Sequence, residues 1–188
     1  MDIQGISITI REKRLEDAET EYQWRIDPEL SELDASRPLV MGYEEFLRVF
    51  KGQFDYPTPW VKRLSVDTKS GIYIGNIMYY DIDTVNKEAE IGIMIGNREY
   101  WGQGYGFDIL VTLIDHIFSN TSLKRLYLHT LDWNHRAQRC FAKCGFKPIK
   151  KIRRISRNFI LMEVYYTEWE KIRDEKLAER VSQQDRGT

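Results

Sequence analysis

Ala89 to Gly106 reads AEIGIMIGNREYWGQGYG, and the fold turns on how this stretch is parsed. Its first part is a run of apolar, partly β-branched residues that predicts a strand over Glu88–Ile95. Gly102, Gly104 and Gly106 follow in a short loop. Missing side chains let a ligand approach the backbone closely and permit positive φ. Beyond the loop, Phe107, Leu110, Val111, Ile114, Ile117 and Phe118 recur at the 3–4 residue spacing of one buried helical face. A strand feeding a glycine loop that opens a helix aims free N–H groups and a positive dipole end at one spot, which suits a phosphate.

Working outward, Ile6, Ile8 and Ile10 alternate as a strand does, and Leu15–Ile26 reads as a helix ended by Asp27-Pro28. Glu29–Gly42 reads as irregular. Tyr43–Phe54 is a second helix with Phe46, Leu47, Phe50 and Phe54 on one face. Strands are expected at Trp60–Val66 and Ile72–Ile82. After the central helix come a strand at Leu123–Leu131 and a short helix at Asn134–Lys143, N-capped by Asn134 and stopped at Gly145. A basic strand at Phe146–Ser156, an apolar one at Phe159–Tyr166, a helix at Glu168–Val181 and a frayed tail complete the chain. This is a mixed α/β domain around one central sheet.

The 188 residues carry 28 basic and 29 acidic side chains, a net charge of −1, which gives no global argument for nucleic acid or membrane. No apolar run is long enough to span a bilayer, and MDIQGISITI does not read as a signal peptide. Cys140 and Cys144 then read as free thiols in a reducing cytoplasm.

Three phosphate ligands compete for the loop. A nucleoside-triphosphate loop ends in Gly-Lys-Ser/Thr, whereas this one ends Gly-Phe-Asp. A dinucleotide fingerprint needs a third glycine where Phe107 stands, and an acid near Leu126 that is absent. The pyrophosphate of coenzyme A is left. Trp101-Gly102-Gln103-Gly104-Tyr105-Gly106 resembles the cofactor loop of the Gcn5-related N-acetyltransferase (GNAT) superfamily, in the variant of its ribosomal-protein and polyamine branch. Asn134-His-Arg-Ala137-Gln-Arg-Cys-Phe141-Ala-Lys143-Cys-Gly145-Phe146 resembles the superfamily's second signature.

The resemblance covers roughly residues 6 to 168 and implies an acyltransferase domain over 1–168, followed by a C-terminal helix and tail over 169–188. It implies a mostly antiparallel sheet splayed at the cofactor, acetyl-CoA as donor, and direct transfer to a primary amine on a small molecule or a protein N-terminus. A non-catalytic acyl-CoA-binding module of the same fold is the rival. By the same resemblance the backbones of Ile93 and Ile95 hold the pantetheine arm, Met94 faces the acyl chain or the core, Asn134 bonds the arm, and the loop amides from Gly102 through Gln103, Gly104 and Tyr105 to Gly106 take the pyrophosphate. Two positions depart from the pattern. Trp101 replaces a Gln or Arg that would touch phosphate. Phe141 replaces a tyrosine that often protonates the leaving thiolate.

Glu90 is the candidate base. It shares a strand face with Gly92 and Met94, and it aligns with the glutamate that serves as base in the histone-acetylating branch. Its other reading is a glutamate at the wet start of a strand or in an ion pair. His129 could relay a proton or simply pack, and Asp132 could act or cap a turn. Cys140 and Cys144 at i, i+4 suggest packing, not metal. The early helices carry Glu29, Glu32, Asp34, Glu44 and Glu45 with Trp24, Tyr43 and Tyr56, which would suit a cationic amine or make a solvated acidic loop. Lys147–Arg157 reads as a nucleic-acid patch or a charge-guarded edge strand. Exposed residues of the last strand would permit a homodimer.

Overall fold

The structure, a computed structural model, describes residues 2–154 and 156–184. Eight strands form one sheet in the order β1-β2-β3-β4-β5-β6-β8-β7. They are β1 (Asp2–Gln4), β2 (Ile8–Glu12), β3 (Val61–Thr68), β4 (Tyr73–Asp83), β5 (Glu88–Ile95), β6 (Arg125–Leu131), β7 (Lys147–Arg154) and β8 (Arg157–Tyr165). Every neighbouring pair is antiparallel except β5 and β6. The helices are α1 (Ala18–Ile26), α2 (Pro28–Leu33), α3 (Tyr43–Asp55), α4 (Tyr105–Asn120), α5 (His135–Lys143) and α6 (Tyr166–Gln184).

The parallel pair decides where the site lies. β5 bonds β6 only at Glu88↔Arg125, Ala89↔Leu126 and Glu90↔Tyr127, yet it stays paired with β4 as far as Ile95. The two strands therefore part after Glu90, and the β6-facing edge of β5 from Ile91 onward is open. α4 runs behind the fork. Its expected apolar face is buried almost completely, with Leu110, Val111, Leu113, Ile114 and Ile117 at 0% exposure. α6 docks on α4, where Trp169 is buried and Arg173 bonds Asp115.

Three sequence expectations need correction, and a fourth lies partly outside the described residues. The first helix ends at Asp27-Pro28 as expected, with Asp27 extended, but Glu29–Gly42 is not irregular throughout. Pro28 starts α2 directly after α1, with Asp27 as N-cap accepting from Leu30 N at 2.9 Å. Proline is well placed at a first helical position, where its missing N–H would be unpaired anyway. The first strand is split. Ile6 and Ser7 donate their N–H groups to the Asp108 carboxylate of α4, at 3.1 and 2.7 Å, so the chain turns there between β1 and β2. The end of the chain is not frayed from Ser182, because α6 continues to Gln184; residues 185–188 lie outside the described ones. The expected strand at Phe146–Ser156 includes Ile155, also outside them, and β7 is the basic edge of the sheet.

The N-terminal half is fastened by a buried ionic knot. Arg11 on β2 forks onto both Asp17 oxygens at 2.7 and 2.8 Å and gives its Nε–H to Asp67 at 2.6 Å. Asp17 also accepts from Ser65 Oγ and Arg14 N. Burial would raise the Asp17 carboxyl, but these donors outweigh it and hold it below the usual carboxylate range.

Candidate active site

A cleft of about 560 Å³ opens in the fork between β5 and β6. Glu90, Ile93, Met94, Ile95, Trp101, Gly102, Gly104, Gly106, Asn134 and Phe141 all line it. Two expected residues do not. The Gln103 side chain donates to the Glu99 carbonyl, and the Tyr105 ring packs edge-on against Tyr100 at 5.1 Å.

The loop meets the conformational demand that its glycines anticipated. Gly102 and Gly104 have φ of 74° and 87°, and Gly104 caps α4 by accepting from Phe107 N and Asp108 N. Among the described residues, the amides from Gly102 to Gly106 have no acceptor. A row of unpaired N–H groups at the start of a long helix matches the demand of a pyrophosphate.

Trp101 has a role its sequence position did not suggest. Its indole N–H donates to the Ile95 carbonyl at 2.7 Å, latching the loop to the end of β5. That carbonyl is therefore engaged, which narrows the expected pantetheine contact at Ile95. Asn134 accepts from Ala137 N at 3.2 Å as an N-cap, and the residue lines the cleft. Phe141 is buried against Phe146 and has no proton to give. Sequence reasoning missed the cations beside it. Arg136, Arg139 and Lys143 all face the cleft from α5, and Arg136 lies 4.0 Å over the Trp101 ring. Their i, i+3, i+7 spacing was the available signal.

At the bottom of the fork Glu90 is 7% exposed. Its Oε1 lies 2.8 Å from His129 Nδ1, whose Nε2 lies 3.1 Å from Arg154 Nη2. Tyr80 stands opposite Glu90 on β4, and burial together with that carboxylate pushes its phenol far up. The glutamate and the histidine that the sequence offered separately are thus hydrogen-bond partners. Asp132 does not line this cleft. Cys144 is buried in the core, while Cys140 is half-buried and reaches the cleft; packing explains the first better than the second.

Residues 7–147 match the family described as Acetyltransferase (GNAT) domain. The chain belongs to the GNAT acetyltransferase family. The match spans most of the chain and takes in both the open fork and the amide-lined loop. GNAT enzymes are acetyl-CoA-dependent N-acetyltransferases, and this chain is one of them. It is 29% identical over 127 residues to the uncharacterized N-acetyltransferase p20 of Bacillus licheniformis, covering 63% of this chain and 67% of that protein. The spermidine N-acetyltransferase of Vibrio cholerae, solved with CoA and spermine, superposes with a TM-score of 0.78 at 18% identity, covering 87% of this chain and 98% of the other. RimL, the ribosomal L7/L12 alpha-N-protein acetyltransferase solved with CoA, gives 0.77 at 14% identity, covering 88% and 98%. At these identities the two structures speak for the fold.

A second cavity, about 340 Å³, lies toward α1 and α3 and shares Met78, Gly92, Ile93 and Met94 with the first. Of the acids expected to form an acidic wall, Glu29 and Asp34 are engaged, and so are Asp27 and Glu21 near them. Asp27 and Glu29 bind Arg98, Asp34 sits 3.5 Å from Arg25, and Glu21 pairs with Lys13. Trp24 is buried against Gly96, where an added Cβ would fall 2.1 Å from the indole. Arg63 lines the same cavity and has no acidic partner among the described residues.

Proposed function

We propose that the chain moves the acetyl group directly onto a primary amine, with Glu90 taking the amine's proton. The single observation that carries this reading is a buried glutamate at the point where β5 and β6 part, inside the cleft that the glycine loop also lines. Bound acetyl-CoA supplies the thioester that is cleaved. The amides of Gly102–Gly106 hold the pyrophosphate, with Arg136, Arg139 and Lys143 beside them for phosphate charge. The open edge of β5 around Ile93 takes the pantetheine arm and offers the developing oxyanion an N–H donor. Because Phe141 cannot donate, the thiolate leaves without a tyrosine's help; a thiol pKa near ~8.5 makes that tolerable.

The acceptor enters from the second cavity. Its carboxylates are paired and Arg63 is not, which suits an amine with a neutral or anionic neighbour, as at a peptide N-terminus, better than a polyamine. Free-thiol release from acetyl-CoA with spermidine, an aminoglycoside and N-terminal peptides tests this. Turnover is expected with the peptides above spermidine. Tight acetyl-CoA binding with no turnover on any amine would overturn the enzymatic reading, and a preference for spermidine would overturn the acceptor class alone.

The loop assignment has its own test. Gly104→Val forces a β-branched residue to φ of 87°, a cost of about 1–3 kcal/mol, and sets a side chain over the free amides. Acetyl-CoA affinity by calorimetry is expected to fall about tenfold or more in a variant that still folds. Native affinity would remove the loop from the cofactor site.

A further inference from the structure

We propose that Arg154 and His129 form a fixed clamp that holds Glu90 as an oriented carboxylate, with His129 serving as a neutral donor and not as a proton relay. This rests on Glu90 being the proton acceptor, and it adds two positioning residues that the reaction alone does not call for.

The argument follows from donor and acceptor counts. A guanidinium has only N–H donors. With Arg154 Nη2 at 3.1 Å, His129 Nε2 must accept, so its proton sits on Nδ1. Nδ1–H then donates to Glu90 Oε1 at 2.8 Å. Glu90 therefore accepts from His129 and is not called on to donate to it. The neighbours of His129 are Glu90 on β5, Tyr127 on its own strand with ring centroids 6.0 Å apart, Arg154 on β7, and apolar Leu161 opposite on β8; Tyr80 on β4 reaches it through Glu90. The side chains of His129 and Glu90 are 8% and 10% exposed, so little solvent competes for the bond between them, while Arg154 closes the row from the exposed side.

A relay needs the outer nitrogen free to pass a proton on, and here Arg154 occupies it. The proton from the amine therefore stays on Glu90 while the N–C bond forms and the C–S bond breaks. It then goes to the departing thiolate, which restores the carboxylate.

Two substitutions separate clamp from relay. His129→Asn keeps an N–H donor near the Nδ1 position and cannot titrate, whereas His129→Phe keeps bulk and loses the donor. Phe is expected to lower kcat about 10- to 100-fold, the scale of losing a hydrogen bond to a charged group, with the KM for acetyl-CoA unchanged. Asn is expected to recover most of that loss. Equal loss in both would mean a relay and would overturn the clamp. Arg154→Met frees Nε2 to take a proton beside Glu90, so His129 becomes able to charge and to neutralise the base. The acid limb of kcat/KM is expected to move up by about one pH unit or more, with Arg154→Lys restoring the wild-type profile. An unmoved limb in Arg154→Met would also overturn the clamp. If Glu90→Gln is inactive while all His129 and Arg154 variants behave as wild type, the base assignment stands and only the clamp falls.

Discussion

Glu90→Gln is expected to bind acetyl-CoA with native affinity and to transfer acetyl at about one hundredth of the wild-type rate or less, the usual weight of a general base. The amide is nearly isosteric and its oxygen can still accept from His129, so the fork between β5 and β6 keeps its shape. What is lost is the ability to hold the amine's proton as the N–C bond forms. An N-terminal α-amine with a pKa near ~8 is still mostly protonated at neutral pH, so that loss bears directly on the rate. Thiol release in a single turnover reads the chemical step, and calorimetry reads binding. An unchanged rate would remove Glu90 from the reaction. A change in acetyl-CoA affinity of the same size as the rate loss would make it a structural residue of the cleft.

Arg11→Met is expected to destabilise the fold by about 3–5 kcal/mol, because it leaves carboxylates buried without their cation. Asp17 and Asp67 are 4% and 8% exposed, and Asp67 already has one buried oxygen without a partner. Lysine is no substitute, since the two oxygens of Asp17 take a planar fork that a single ammonium cannot reproduce. The same knot sets an acid limit. Asp17 titrates lower in the folded chain than in the unfolded one, so its contribution is complete above the unfolded carboxylate value near ~3.9 and is lost as pH falls through the folded value. Urea melts across pH read both effects. A loss under about 1 kcal/mol at neutral pH in Arg11→Met would place the weight of this region in its apolar packing.

Much of the architecture was legible because it is local and periodic. The stripe from Phe107 to Phe118 fixed α4, and the positive φ of Gly102, Gly104 and Gly145 realised what their spacing suggested. What stayed hidden depends on partners far away in the chain. Glu90 and His129 are 39 residues apart, and Arg98 reaches back 69 and 71 residues to Glu29 and Asp27. The acidic character of the early helices could therefore be seen in the sequence, while the capture of Asp27 and Glu29 by Arg98 could not. Trp101 stood at a position where another residue type was expected, and periodicity says nothing about an indole that bends back onto its own strand. The helix end before Pro28 was legible and the helix after it was missed, because the same residue that forbids a helix before it favours one after it.

The connection from Ile95 to Trp101 is a ring of chain closed by its own indole. Closing such a loop costs configurational entropy, and here that cost is met during folding, before any ligand arrives. Acetyl-CoA then meets amides already held in place, so little of its contact energy is diverted into ordering backbone. The same residue that lacks a direct grip on phosphate thus acts by making the grip of its neighbours rigid.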